Sequence, residues 1–246
     1  MLKRLLCLLA LLAIPAAALT EPLVLLDDLQ GTVYWPEGGT PCYTYTYAYP
    51  QVAGDDMCAQ TINAFYQYEE ANTLLFTVPI RGEGIQDPTL PATTQVSYRI
   101  TANTDDLFCV LVITDSVIDG DRQVSVSAQT FGRSTEKPGN VLTLPFLLDI
   151  VQDDEDSDWL KDRQTSQAND VVRSLVWEEI RAMDNVPDFW DEEMLQYDFF
   201  PEEDFYYDGE NDCLVFFFQP YMNAEGADPA SFWQFPIPID DILDEM

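Results

Sequence analysis

The chain has 246 residues, 44 acidic and 11 basic side chains, a formal net charge of −33 and no histidine. The missing histidine excludes Ser-His-Asp and Cys-His triads and histidine zinc sites. The charge excludes nucleic-acid binding by phosphate neutralisation and disfavours docking on an anionic membrane surface, while 47% apolar residues exclude a disordered acidic tail.

Residues 1–18 have the pattern of an export signal. Lys3 and Arg4 precede an uncharged apolar run that extends to Ile14, and small alanines follow at positions 16–18. The run is shorter than the roughly 20 apolar residues that a transmembrane helix needs. We therefore predict cleavage near Ala18 and a mature protein that is secreted or extracytoplasmic.

Four cysteines follow the signal, and two interpretations of them stay open. They are Cys42, Cys58, Cys109 and Cys213. An even number in an exported chain is compatible with two disulfides. Cys109 and Cys213 lie in apolar runs, which is equally typical of small buried hydrophobic residues.

The first predicted elements lie before residue 93. Tyrosines alternate with smaller residues over Tyr43–Tyr49, which predicts a strand whose aromatic face either packs on a helix or stacks on sugar rings. Asp55 or Asp56 is suited to cap a following amphipathic helix. We then predict a strand over residues 74–80 and a loop over residues 81–91.

The rest of the chain predicts a meander, a long helix and short strands. The expected elements are strands at 93–102, 107–116 and 123–132, a helical turn at 143–145, a helix at 159–183, and strands at 205–207, 213–219 and 232–237. This order predicts an α+β fold of antiparallel sheets with two main helices, one short and one long, packed on one side. We divide the chain into the signal, an N-terminal strand-helix-strand portion at 19–92 and a C-terminal portion at 93–246. The two portions after the signal are predicted to form one compact unit.

The C-terminal quarter carries a strong negative charge. Between Ala182 and Met246 there are 18 acidic residues and neither lysine nor arginine. Such a field speeds association with a cationic partner, although acidity also serves solubility alone. The candidate partner-binding acids are Asp188, Asp191, Glu192, Glu193, Glu202, Glu203 and Asp204.

Two other functions use the same kind of side chain. Paired carboxylates hydrolyse glycosides without histidine when one of them lies in an apolar pocket, so a cell-wall carbohydrate-active enzyme is the alternative hypothesis. The loops at 153–158 and 208–212 are dense in oxygen ligands for calcium, but neither has the EF-hand spacing. Solvated loops are the simpler interpretation, and we predict no catalytic, cofactor-binding or metal-binding residue.

Several ordered segments resemble one extracytoplasmic domain family. They are Tyr49-Pro50-Gln51-Val52-Ala53-Gly54, the segment at 138–144, and the ending Phe217-Phe218-Gln219-Pro220-Tyr221 with Phe235-Pro236-Ile237-Pro238. The family, a domain of unknown function, is the one found in the ectodomain of the anti-sigma-V factor, a lysozyme receptor, and beside peptidoglycan deacetylase domains. The resemblance implies a non-catalytic binding module for a cationic protein such as lysozyme or for a cell-wall component. At Asp119-Gly120-Asp121-Arg122 the chain lacks the Gly-Gly-Ala-His segment frequent in that family.

Overall fold

The computed structural model describes residues 21–134, 138–149, 158–183, 186, 190–222 and 231–246, so the predicted export signal lies outside it. The strands are β1 Leu29–Trp35, β2 Tyr43–Tyr49, β3 Ala92–Asn103, β4 Leu107–Ile118, β5 Asp121–Gly132, β6 Phe205–Asp208, β7 Cys213–Phe217 and β8 Gln234–Pro238. The α-helices are α1 Met57–Asn72, α2 Val78–Gly84, α3 Leu144–Leu147, α4 Asp158–Ala182, α5 Glu192–Tyr197 and α6 Ile239–Asp244. A π-helix at Thr73–Thr77 joins α1 to α2, and a 3₁₀ turn lies at Pro220–Met222.

The strands form two sheets. The five-stranded sheet has the order β1-β2-β3-β4-β5, and the three-stranded sheet has the order β6-β7-β8. All neighbouring strands are antiparallel except β2 and β3, which are parallel. A parallel pair needs a crossover, and the helical run from α1 to α2 supplies it. The α+β class predicted from the sequence is confirmed.

The tyrosine row of β2 packs inside the protein against α1. Its four tyrosines are between 1% and 7% exposed, because the alternation places every second residue on the helix side of the sheet. Tyr49 stacks on Tyr66 of α1 with ring centroids 5.6 Å apart. The row therefore supplies packing for α1, and an open aromatic platform for sugars is ruled out.

The two sheets stack between two helices, so the molecule has four layers. Alternate residues of β4 divide between the α1 side, where Val110 lies, and the opposite side, where Leu111 belongs to the same buried cluster as Val215 of β7. The other face of β7 presents Phe216 to the core under α4. The two main helices thus cover different sheets and lie on the two outer faces rather than on one side.

The predicted strand at 74–80 is wrong, because this segment is helical. The π-helix Thr73–Thr77 continues α1 directly, and α2 follows without a break, with Pro79 as its second residue. The apolar run suggested a buried strand, yet Leu75 and Phe76 are 69% and 59% exposed. The predicted loop at 81–91 likewise begins four residues later, since α2 extends to Gly84.

Other boundaries agree closely with the sequence pattern. β2 begins and ends at the predicted residues, and Asp56 caps α1 by accepting a hydrogen bond from the Ala59 N–H at 3.0 Å. The meander and the long helix are present within a few residues of their expected bounds. Sequence reasoning missed β1, α5 and α6, and the 19–92 and 93–246 division stays a prediction.

Candidate functional site

The predicted acidic residues lie around α5 and the turn after it. Asp191 caps α5 through a 2.8 Å hydrogen bond from the Met194 N–H, and Glu192 and Glu193 are exposed in its first turn. Glu203 is exposed in the following turn. Asp188 lies outside the described residues. Acids at a helix N-terminus are favoured by the helix dipole, so α5 gathers negative charge on the surface.

Asp204 and Glu202 differ from their exposed neighbours. Asp204 is 5% exposed, and its carboxyl accepts hydrogen bonds from the Gln219 side-chain amide at 2.7 Å and the Phe200 N–H at 3.3 Å. Burial raises the pKa of Asp204, and the two hydrogen bonds oppose that rise. Glu202 is half-buried, and its Oε2 has no hydrogen-bond partner among the described residues. Asp204 is therefore a structural residue, not a docking residue.

The exposed acids Glu192, Glu193 and Glu203 make no ion pair in the described part of the chain. Arg173 of α4 is the arginine that reaches the segment, but it donates to the Leu195 and Phe199 carbonyls at 3.1 and 3.2 Å. The ion pair that Arg173 makes is with Asp170 on its own helix, at 3.5 Å. Glu192, Glu193 and Glu203 consequently present unneutralised charge to solvent.

The loop at 208–212 uses its oxygens internally. Asp208 accepts hydrogen bonds from the Glu210 N–H and the Asn211 side chain, and these lower its pKa. Asp212 accepts one from the Tyr207 hydroxyl at 2.6 Å. Within the described ranges, no group of three potential metal ligands is present. The other candidate calcium loop, at 153–158, lies outside those ranges except for Asp158.

All four cysteines are free thiols in the structure. Cys42 is half-exposed, whereas Cys58, Cys109 and Cys213 are buried. Desolvation raises the pKa of Cys109 to about 12, and burial also raises the pKa of Cys58 and Cys213. Neither disulfide is formed, and the buried thiols act as small apolar residues of the strands and α1.

A cleft that sequence reasoning missed lies between the α1–α2 run and the five-stranded sheet. Its inner cavity has a volume of about 220 Å³ and contains Tyr45, Tyr49, Tyr66, Glu69 and Gln129 in its lining. An outer cavity of about 390 Å³ extends over the edge of β5 to Arg122 and Tyr221. Because Arg81 and Thr114 line both cavities, we call the pair the Arg81 cleft.

The helical side of the Arg81 cleft carries polar residues at a spacing of four. Glu69, Thr73, Thr77 and Arg81 all line the inner cavity and follow one face of the helical run. The π-helix lies in the middle of this row, and such insertions are frequent at functional sites. The same spacing can be read from the sequence, but it indicates one face only in a helix, and the segment at 74–80 was wrongly predicted as a strand.

The enzyme alternative requires two carboxylates that face each other across an aromatic pocket. The inner cavity of the Arg81 cleft has aromatic walls but one carboxylate, Glu69, in its lining. A groove of about 600 Å³ along α4 contains Asp170, Glu178 and Glu245, but its lining has no aromatic residue. Asp170 and Glu178 are about 12 Å apart along the helix axis. Neither cavity combines the two features.

Comparisons with known proteins identify a similar fold. No protein-family model matches the sequence, and no curated protein matches it either. A DUF3298-family protein from Bacteroides fragilis has 14% sequence identity and a TM-score of 0.52, with 90% of this chain and 92% of that chain covered. The fold is similar to that of this DUF3298-family protein. A second DUF3298-family protein, from Pseudomonas aeruginosa, has 12% identity and a TM-score of 0.49 over 92% and 94% of the two chains.

The DUF3298 domain is one of unknown function, so the likeness describes architecture alone. It extends along nearly the whole length of both chains. In the part of the chain that the structure describes, no helix is long and apolar enough to cross a membrane.

Proposed function

We propose that the protein is an extracytoplasmic, non-catalytic binding module whose acidic C-terminal segment binds a cationic protein. The observation that carries the proposal is the set of exposed carboxylates Glu192, Glu193 and Glu203, which make no ion pair in the described structure. Unpaired charges of one sign steer a partner of opposite sign and raise its association rate.

The proposed location and partner rest on the sequence. The export signal at residues 1–18 directs the chain out of the cytoplasm. Outside the cytoplasm the module meets cationic proteins. The resemblance to the anti-sigma-V ectodomain family supports lysozyme as the first partner to test. The fold likeness to a DUF3298-family protein agrees with a module of unknown function and adds no partner.

The test measures the affinity of the mature chain for lysozyme by biolayer interferometry at several salt concentrations. The triple variant Glu192→Gln, Glu193→Gln, Glu203→Gln removes three exposed charges. At about 0.5 kcal/mol for each surface pair, the variant should bind about tenfold more weakly. The association rate should also fall as salt shortens the screening length.

The matched control is Glu37→Gln, Asp55→Asn, Glu83→Gln, which removes three exposed acids from other parts of the surface. It changes the net charge by the same amount and should retain most of the affinity. An equal loss in both variants would attribute binding to net charge alone and refute the assignment to the C-terminal segment. No binding of lysozyme at low salt would refute lysozyme as the partner.

A further inference from the structure

Arg81 is held at the junction of the two cavities by a buried hydroxyl network. Its Nη1 donates to Ser116 Oγ at 2.8 Å and to Thr94 Oγ1 at 3.2 Å. Those hydroxyls contact each other at 2.9 Å, and the Tyr43 hydroxyl donates to Thr94 at 2.7 Å. Thr94 and Ser116 are 1% and 8% exposed. The network fixes the position of the guanidinium before any ligand arrives.

The opposite edge of the guanidinium has no protein partner among the described residues. Arginine has five N–H donors, and the network engages Nη1 alone. The Nε and Nη2 groups form the fork that binds a carboxylate with two parallel hydrogen bonds. No ion pair to Arg81 is present within the described ranges, although the whole chain has 44 acidic residues. An arginine that is positioned but not neutralised is typical of an anion site.

The two ends of the Arg81 cleft differ in charge. Glu69 and Arg81 are twelve residues apart on one helical run, which separates their backbones by about 18 Å. Glu69 therefore does not neutralise the Arg81 end, where Arg122 also lines the outer cavity and pairs with Asp115 at 2.6 Å. A ligand in the cleft meets a cation at one end and a hydrogen-bond-accepting carboxylate at the other.

The space between these ends is lined by hydroxyl and amide groups. Thr73, Thr77, Thr114, Ser127 and Gln129 line the inner cavity beside the tyrosines. Burial raises the pKa of Tyr45 and Tyr49, so their hydroxyls stay protonated. Many neutral donors and acceptors beside the Arg81 guanidinium match a hydroxylated molecule with a single carboxylate. The combined cavity volume falls in the range of about 300–1,000 Å³ that is typical of small-molecule sites.

We infer that the Arg81 cleft binds a small hydroxylated carboxylate, with the carboxylate on Arg81 and the hydroxyls along the Thr73–Gln129 lining. Recognition is by hydrogen bonds inside the cleft and not by stacking on an open aromatic surface. This site is separate from the acidic segment around α5, so it and the proposed function can fail independently.

The test uses D-glucuronate and D-glucose, which differ at one carbon by a carboxylate. Titration of the isotope-labelled mature chain, followed by NMR, measures both affinities and locates the affected amides. Glucuronate should bind at least tenfold more tightly than glucose and shift amides of β4 and β5 near Thr114 and Ser127. Equal affinities, or shifts confined to other surfaces, would overturn the inference. Acetate that binds as tightly as glucuronate would also overturn it, because the hydroxyls would then contribute nothing.

Two variants and a control separate binding from folding. Arg81→Gln removes the anchor and should weaken glucuronate at least tenfold, while Arg181→Gln removes one positive charge from the exposed end of α4 and should have no effect. Ser127→Leu narrows the exposed mouth of the cleft and leaves the Arg81 network intact, so it keeps the test valid if Arg81→Gln unfolds. Unchanged glucuronate affinity in Ser127→Leu would contradict the site.

Discussion

Replacement of Gln219 should reveal how the two sheets are connected. Gln219 follows β7, and its side-chain amide pairs with both backbone groups of Val126 at the edge of β5. Its Oε1 accepts from the Val126 N–H at 3.1 Å, and its Nε2 donates to the Val126 carbonyl at 2.8 Å and to Asp204 Oδ1 at 2.7 Å. One side chain therefore ties the five-stranded sheet to the turn that precedes β6.

The size of the effect follows from these three bonds. A neutral hydrogen bond contributes about 1 kcal/mol, and one to a charged group contributes about 1.5–3 kcal/mol. Gln219 is half-buried, so water replaces part of what Gln219→Leu removes. We expect the free energy of unfolding, measured by urea denaturation, to fall by about 3 kcal/mol. The slope of that free energy against urea concentration should stay unchanged.

The matched control is Gln95→Leu, which makes the same change at an exposed position of β3. It should alter the free energy of unfolding by less than about 0.5 kcal/mol, as is usual for surface substitutions. If Gln219→Leu has an effect as small as that of the control, the side chain does not join the sheets and the reasoning is refuted.

Two further predictions concern titratable groups. Burial raises the pKa of Asp204 in the folded chain, so the folded state keeps the carboxyl proton at pH values above the ordinary carboxyl pKa of about 3.9. Asp204 therefore stabilises the fold at low pH, and this stabilisation is lost as pH rises through the raised pKa of the folded state. The pH profile of urea unfolding should therefore flatten above pH 4 in Asp204→Asn, and an unchanged profile would assign the slope to other acids. In the native mature chain, a thiol reagent at neutral pH should modify half-exposed Cys42 quickly and the buried Cys58, Cys109 and Cys213 slowly, with all four reacting in denaturant. Fewer than four reactive thiols in denaturant without reductant would show that a disulfide forms.

The sequence predicted secondary structure well where buried and exposed side chains alternate with a regular period. Alternating tyrosines identify β2 to the residue, because a strand with one buried face enforces a period of two. The segment at 74–80 failed because an apolar run is common to buried strands and to exposed helical surface, and the run itself contains no period that separates them. The missed α5 is six residues long and rich in acids, so neither length nor an apolar stripe marks it.

The two candidate sites also differ in how far the sequence predicts them. The acidic segment could be found from composition, since charge is a property of the sequence alone. That Asp204 is buried and Glu203 exposed could not be found, because burial depends on tertiary packing, and the Gln219 side chain that bonds Asp204 is 15 residues away in the chain. The Arg81 cleft combines residues of α2, β3 and β4 with the neighbouring strands, and only the topology brings them together.

The parallel pairing of β2 with β3 has a consequence for the order of folding. The β1–β2 hairpin and the β3–β4–β5 meander are closed by connections of two to seven residues, whereas β2 meets β3 only across residues 50–91. Closing a long loop costs entropy before any contact repays it, so local hairpins form first and the non-local pair forms late. The Arg81 cleft has walls on both sides of that late junction and is complete only when the two locally folded parts dock.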